Sequence, residues 1–211
     1  MSPTRALLII DVQEEYFKGP LAIQYPARET SEAQINRSIA AAQQAGLPLA
    51  LIQHELPEGA PVFARGSESQ KNRPSISEAQ DDSWLVSTKA FSSALADDAL
   101  VQGLKDRGVD TLTLVGYMTN NCVLATAAHA ETLGFKVEVL SDATGAIHMK
   151  NSAGEASARQ VHETLMVLLN SNWAAVASTA EWLEALPAGQ ALQASDLGST
   201  AVAGSQVFSA Q

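Results

Sequence analysis

The chain is poor in cysteine and in positive charge, and it lacks any long hydrophobic run or internal repeat. A single cysteine, Cys122, in 211 residues rules out an internal disulfide and fits a reducing cytosol. With 13 Lys and Arg against 23 Asp and Glu, the formal net charge is −10. Such a surface repels phosphate backbones and anionic lipids, which argues against nucleic acid or membrane as a partner. The opening apolar run, residues 6–10, is too short for a signal-peptide core and far too short to span a bilayer. A cytoplasmic protein acting on a small molecule is the expectation.

What is present is a regular alternation of short apolar runs and helical patterns. Residues 6–10 form a continuous apolar run, the mark of a strand buried on both faces. Ser31-x-x-Gln34 reads as a capping box for a helix that Gly46 ends, and residues 47–52 read as the second strand. A polar Pro/Gly/Ser stretch over 57–82 follows, the longest irregular segment and so a candidate lid or binding loop. Further strands are expected over 84–87, 111–115, 136–140 and 173–177. Helices are expected through Leu95, Leu100 and Leu104 up to Gly108, over 121–133 and 154–169, and after a cap at Ser178. This pattern predicts an α/β fold, a doubly wound, mostly parallel six-stranded sheet with helices on both faces in a Rossmann-like three-layer sandwich. One domain over 1–186 is expected, followed by an Ala/Gly/Ser-rich tail over 187–211 that reads as flexible.

Ligands of open α/β sheets bind beyond the carboxyl ends of the strands. Asp11 follows the first strand, Gln53 and His54 the second, Lys89 the third, residues 117–122 the fourth and Asp142 the fifth. An acid, a lysine and a thiol thus converge on one edge. Cys122 stands where a strand hands over to a helix, whose free N–H groups favour thiolate over thiol. A thiol attacking an acyl carbon needs a base, for which Asp11 is the candidate, and donors for the oxyanion. Lys89 would hold Asp11 and, as a cation, favour the thiolate.

These segments together resemble the isochorismatase-like cysteine hydrolases, in their amidase-like branch. Leu7-Leu-Ile-Ile-Asp11-Val-Gln-Glu-Glu-Tyr-Phe17 resembles the family's opening motif, and Pro48-Leu-Ala-Leu-Ile-Gln-His-Glu55 its second strand. Phe63-Ala-Arg-Gly-Ser67, Ser87-Thr-Lys89-Ala-Phe-Ser-Ser-Ala-Leu95, Gly116-Tyr-Met-Thr-Asn-Asn-Cys122-Val123 and Leu140-Ser-Asp142-Ala143 follow in the expected order. The resemblance implies Asp11, Lys89 and Cys122 as the catalytic triad. It also implies a cis peptide before Met118 and an oxyanion hole from the N–H groups of Met118 and Cys122. Tyr16, Phe17, His54, Phe91, Tyr117 and Asn120 become candidates for binding substrate.

The departures narrow the reading. Nicotinamidases carry an Asp-x-His…His metal site after the second strand, whereas this chain has Gln53-His-Glu-Leu56-Pro57, and Leu56 cannot ligate. No metal and no cofactor are expected, and nicotinamide is disfavoured as substrate. Asn120 stands where many relatives have histidine, and Leu95 where an aromatic is common, which implies altered specificity. The leading expectation is hydrolysis of a small amide or related acyl C–N bond through a Cys122 thioester. The alternatives are a vinyl ether hydrolase using Asp11 as acid, and a non-catalytic oligomeric scaffold. Relatives are commonly oligomeric, so a homo-oligomer is expected, with helix 154–169 a candidate interface.

Overall fold

A computed structural model describes residues 2–208. Six parallel strands form one sheet in the order β3-β2-β1-β4-β5-β8, with β1 Arg5–Ile10, β2 Leu49–His54, β3 Leu85–Lys89, β4 Thr111–Tyr117, β5 Lys136–Gly145 and β8 Ala175–Ala177. Strands β6 Met149–Asn151 and β7 Gly154–Ala156 make a separate antiparallel hairpin. The helices are α1 Glu15–Lys18, α2 Arg28–Gln44, α3 Pro74–Ala79, α4 Asp98–Asp106, α5 Leu124–Leu133, α6 Ala158–Asn172, α7 Thr179–Ala185 and α8 Leu197–Val207. The doubly wound α/β architecture expected from the sequence is therefore present.

Strand β1 shows why the sheet is central. Every residue in it is buried, and its side chains alternate between two cores. Ala6, Leu8 and Ile10 join the cluster that includes Leu100, Leu104, Ala127 and Leu169, whereas Leu7 and Ile9 join Ile35, Ile39 and Trp182. Each such Leu or Ile contributes roughly 1.5–3 kcal/mol by leaving water. Arg5 is the polar exception in β1. Its guanidinium pairs with Glu138 of β5 at 2.8 Å, and Glu138 also accepts from Thr113 and from the Trp182 indole.

The chain builds outward from β1 in both directions, so the strand order reverses between β1 and β4. That reversal opens a crevice at the carboxyl ends of the two strands. Gly116 lets them close up there. Its φ is +105°, and a Cβ on it would sit 2.1 Å from the Ile10 carbonyl oxygen.

Several boundaries differ from expectation, each for a local reason. Ser31 does not cap α2; the helix starts three residues earlier, and the Ser31 hydroxyl instead meets the Tyr117 hydroxyl at 2.7 Å. Leu95 lies in a separate turn, Ala94–Ala96, because Asp97 caps α4 by accepting from Ala99 N–H at 2.9 Å. Residues 154–156 are strand, since Gly154 has φ +145° and the Ser157–Gln160 capping box starts α6 after it. Ser178 caps α7 as expected, through a box with Glu181.

The tail is the largest departure. Beyond Pro187 the chain runs over the Arg5–Glu138 pair: the Gln190 carbonyl accepts from the Arg5 guanidinium, and Leu192 packs on the second core. Ser195 N–H then bonds the Asn170 carbonyl at 3.0 Å, and α8 follows with Asp196 as its cap. A segment read as lacking periodicity thus contains a helix, held by backbone contacts that composition does not reveal. Residues 209–211 of that tail lie outside the described residues. No described helix is long and apolar enough to cross a membrane.

Candidate active site

Four strand ends meet at the crevice. Asp11 directly follows β1, with its N–H donating to the Ile52 carbonyl at 2.9 Å. Among the described residues it is one of two non-glycine residues with positive φ, at +51°. A left-handed aspartate costs of order 1–3 kcal/mol, and here the packing of β1 between β2 and β4 enforces it. His54 and Lys89 end β2 and β3 in direct register. Cys122 lies in a single π-helical turn, Thr119–Val123, between β4 and α5. The Met118 carbonyl folds this turn by accepting from Asn121 and Val123, each at 3.1 Å. The peptide between Tyr117 and Met118 is cis.

The Lys89 ammonium joins these ends. Its Nζ is 2.7 Å from Asp11 Oδ2, 3.1 Å from His54 Nδ1 and 3.4 Å from Cys122 Sγ. All three members of the expected triad are out of solvent, with Asp11 at 0%, Lys89 at 5% and Cys122 at 1% exposure. Asp11 Oδ1 is buried without a fixed hydrogen-bond partner, which leaves an acceptor for a proton arriving from the thiol or the substrate.

Burial dominates the electrostatics. It raises the Asp11 carboxyl above its ordinary range, although Lys89 opposes the shift. Burial, together with the Asp11 charge, pushes the Cys122 thiol up to about 12, again against Lys89. The shift runs against the thiolate expected from the helix end. Removal from water outweighs the opposing lysine. His54 is pushed down to about 4 by burial and then by Lys89, so its ring is neutral near neutral pH.

The other residues singled out in the sequence divide. Tyr16 is buried close to the triad: burial, and then the Asp11 charge, raise its phenol well above the ordinary value. It packs against Phe63 at 5.3 Å between ring centres. Asn120 adjoins Cys122 and carries a buried carboxamide oxygen without a partner, while its nitrogen faces Met149 of the hairpin. Phe91 is 71% exposed on the loop after Lys89. Phe17 and Tyr117 have core contacts instead. The Arg73 guanidinium lies 4.1 Å over the Phe17 ring, and the buried Tyr117 hydroxyl bonds Ser31 of α2. Asp142, at the fifth strand, accepts from Thr179 N–H and hydroxyl, each at 2.7 Å, and so anchors α7.

One residue was missed. Gln13 is fully buried, and its carboxamide accepts from His54 N–H at 2.9 Å and donates to the His54 carbonyl at 2.8 Å. It also donates to the Gln70 carbonyl at 2.6 Å, tying loop 57–82 to the strand ends. Its place two residues after Asp11, just past the apolar run of β1, is its only mark in the sequence.

A carboxylate oxygen of Asp11, a ring nitrogen of His54 and the Cys122 sulfur lie within 4.8 Å of one another, a spacing that could hold a metal ion. The Lys89 ammonium contacts all three and already supplies a positive charge there. A separate cavity of about 450 Å³, lined by Phe135, Trp173 and Leu192, contains none of the triad residues.

Comparisons with known proteins bear on the family and the fold. The family profile described as Isochorismatase domain matches residues 5–181. An isochorismatase-type crystal structure from Burkholderia xenovorans LB400 is 42% identical, with 98% of this chain and 99% of that chain covered and a TM-score of 0.94. A second, from Oleispira antarctica, is 32% identical, with 87% and 98% covered and a TM-score of 0.79. The secreted isochorismatase effector of Verticillium dahliae is 33% identical over 139 residues, 66% of this chain and 71% of that protein. On the profile, the fold and these relatives, the chain belongs to the isochorismatase family of hydrolases.

Proposed function

We propose that the protein cleaves a small amide or related acyl C–N bond, with Asp11, Lys89 and Cys122 as a catalytic triad. The observation that carries this reading is the Lys89 ammonium bridging Asp11 and Cys122 while Asp11 Oδ1 stays unpartnered. Asp11 takes the thiol proton as the sulfur attacks the acyl carbon, because a thiol held at about 12 needs a base at the moment of attack. The N–H groups of Met118 and Cys122 hold the oxyanion. Collapse breaks the C–N bond, and protonated Asp11 gives its proton to the departing nitrogen. Water then attacks the thioester with Asp11 as base, releasing the acid and restoring the Cys122 thiol.

Tyr16 and Asn120 are the substrate contacts this reading favours. Tyr16 is buried beside the triad and Asn120 is half-buried, which favours a small molecule as substrate. Self-association is part of the same reading, since Val167 on α6 and Leu197 and Val202 on α8 leave apolar side chains in solvent; sedimentation velocity tests it.

A panel of small primary amides, analysed by intact mass, tests the chemistry. An acyl adduct on Cys122 and loss of turnover in Cys122→Ala and Asp11→Asn are expected; full turnover in either variant would rule the mechanism out. A second reading is favoured by the raised Asp11 carboxyl, which holds a proton more readily than an ordinary aspartate. In that case Asp11 protonates a vinyl ether such as isochorismate, and no covalent Cys122 adduct forms.

A further inference from the structure

We propose that His54 is a positioning residue for Lys89, so that the working unit is a cluster of four residues rather than a triad. The inference rests on the cysteine-hydrolase reading and deepens it. An ammonium has three N–H donors and no acceptor. In this site the three point to Asp11 Oδ2, Cys122 Sγ and His54 Nδ1. The Lys89 side chain is only 2% exposed, so bulk water is not at hand to replace a lost partner. Because Lys89 can only donate, His54 Nδ1 must be the acceptor, and the ring proton sits on Nε2. A third acceptor restrains the tilt and position of the ammonium nitrogen, and with them the alignment on the carboxylate and the sulfur.

The surroundings of His54 suit that task. Gln13 grips its backbone from both sides, donating to its carbonyl and accepting from its N–H. Phe63 closes on the imidazole edge-on, with ring centres 4.9 Å apart. The ring is thereby held before any substrate arrives, as a positioning group must be. Burial and the neighbouring ammonium also keep it neutral, without which it would repel Lys89.

The experiment compares the wild type with His54→Leu, which removes the acceptor, and His54→Asn, whose carboxamide oxygen can stand near Nδ1. The readout is the rate of Cys122 alkylation by excess iodoacetamide across alkaline pH, followed by intact mass, with thermal melting in parallel. Loss of the Lys89 anchor should displace the rate profile by about one pH unit, an approximately tenfold slower reaction at fixed pH, in His54→Leu. His54→Asn should restore most of the rate. Superimposable profiles for all three proteins would overturn the proposal, as would equal slowing in both variants accompanied by equal loss of melting temperature.

Nitrogen NMR of histidine-labelled wild type gives a check that needs no variant. The Nε2–H tautomer is expected for His54, and an Nδ1–H tautomer overturns the assignment. Alkylation reads the cluster whatever bond the enzyme cleaves. A failed amide panel with the predicted alkylation pattern would therefore sink the reaction and leave the role of His54 standing.

Discussion

Asp11 and Lys89 form an ion pair of 2.7 Å in which neither side chain is more than 2% exposed. Removing one member of such a pair strands the other charge away from water, whereas removing both does not. Lys89→Met is therefore expected to cost about 3 kcal/mol in urea unfolding. The double variant Asp11→Asn/Lys89→Met should recover most of that stability and none of the activity. An additive loss in the double variant would show that the two side chains are not coupled.

The thiol makes an unusual reagent. With Cys122 pushed up to about 12 and 1% exposed, alkylation near neutral pH should be at least about 100-fold slower than for a cysteine in an unstructured peptide. From sequence alone, a cysteine at a helix start predicts a ready thiolate, and quick alkylation would be the test of the enzyme. Burial reverses the test. A slow resting thiol fits the hydrolase, and acylation by substrate is the measurement that separates it from a scaffold.

His54 should leave a signature in stability. Its value falls from an ordinary 6.5 to about 4 on folding, so the unfolded chain binds the extra proton first. A depressed value stabilises above about pH 6.5, and that contribution is lost as pH falls towards about 4. Urea midpoints should drop across this window in the wild type, and the drop should be shallower in His54→Asn. Identical slopes would show that His54 does not titrate differently in the two states.

Gly116→Ala tests the close approach of β1 and β4. The added methyl would meet the Ile10 carbonyl at 2.1 Å, in a backbone conformation that disfavours any side chain. A loss of roughly 2–3 kcal/mol is expected from backbone strain and displacement of β4, visible in thermal melting. Activity should fall with it, because Asp11 and Cys122 follow the two strands being forced apart. A melting temperature equal to that of the wild type would mean that the strand ends have slack.

The strands and their order of use were legible because a buried parallel strand writes itself as an unbroken apolar run, as in residues 6–10. The meeting of Asp11, Lys89 and Cys122 was legible too, since Asp11 follows β1, Lys89 ends β3 and Cys122 lies in the turn after β4. What composition could not carry were contacts made across long separations. Ser31 looked like a cap until Tyr117, 86 residues away, took its hydroxyl. Nothing in the sequence marks Gln13 as the carboxamide that bridges His54 and Gln70. The burial of Cys122 is hidden for the same reason: a helix end is visible in sequence, but the depth at which a side chain is buried is not.

The run beyond Pro187 has one more implication. Through Gln190 and Arg5, the closing stretch of the chain is sewn to its opening strand across a charge pair sealed from water. Trimming the protein at residue 186, the boundary its composition suggests, would strip a wall from that pair and let water reach Glu138. What reads as an expendable trailer is thus part of the casing, and a shortened form should keep the residues through Ser195, where the stitch to Asn170 is made.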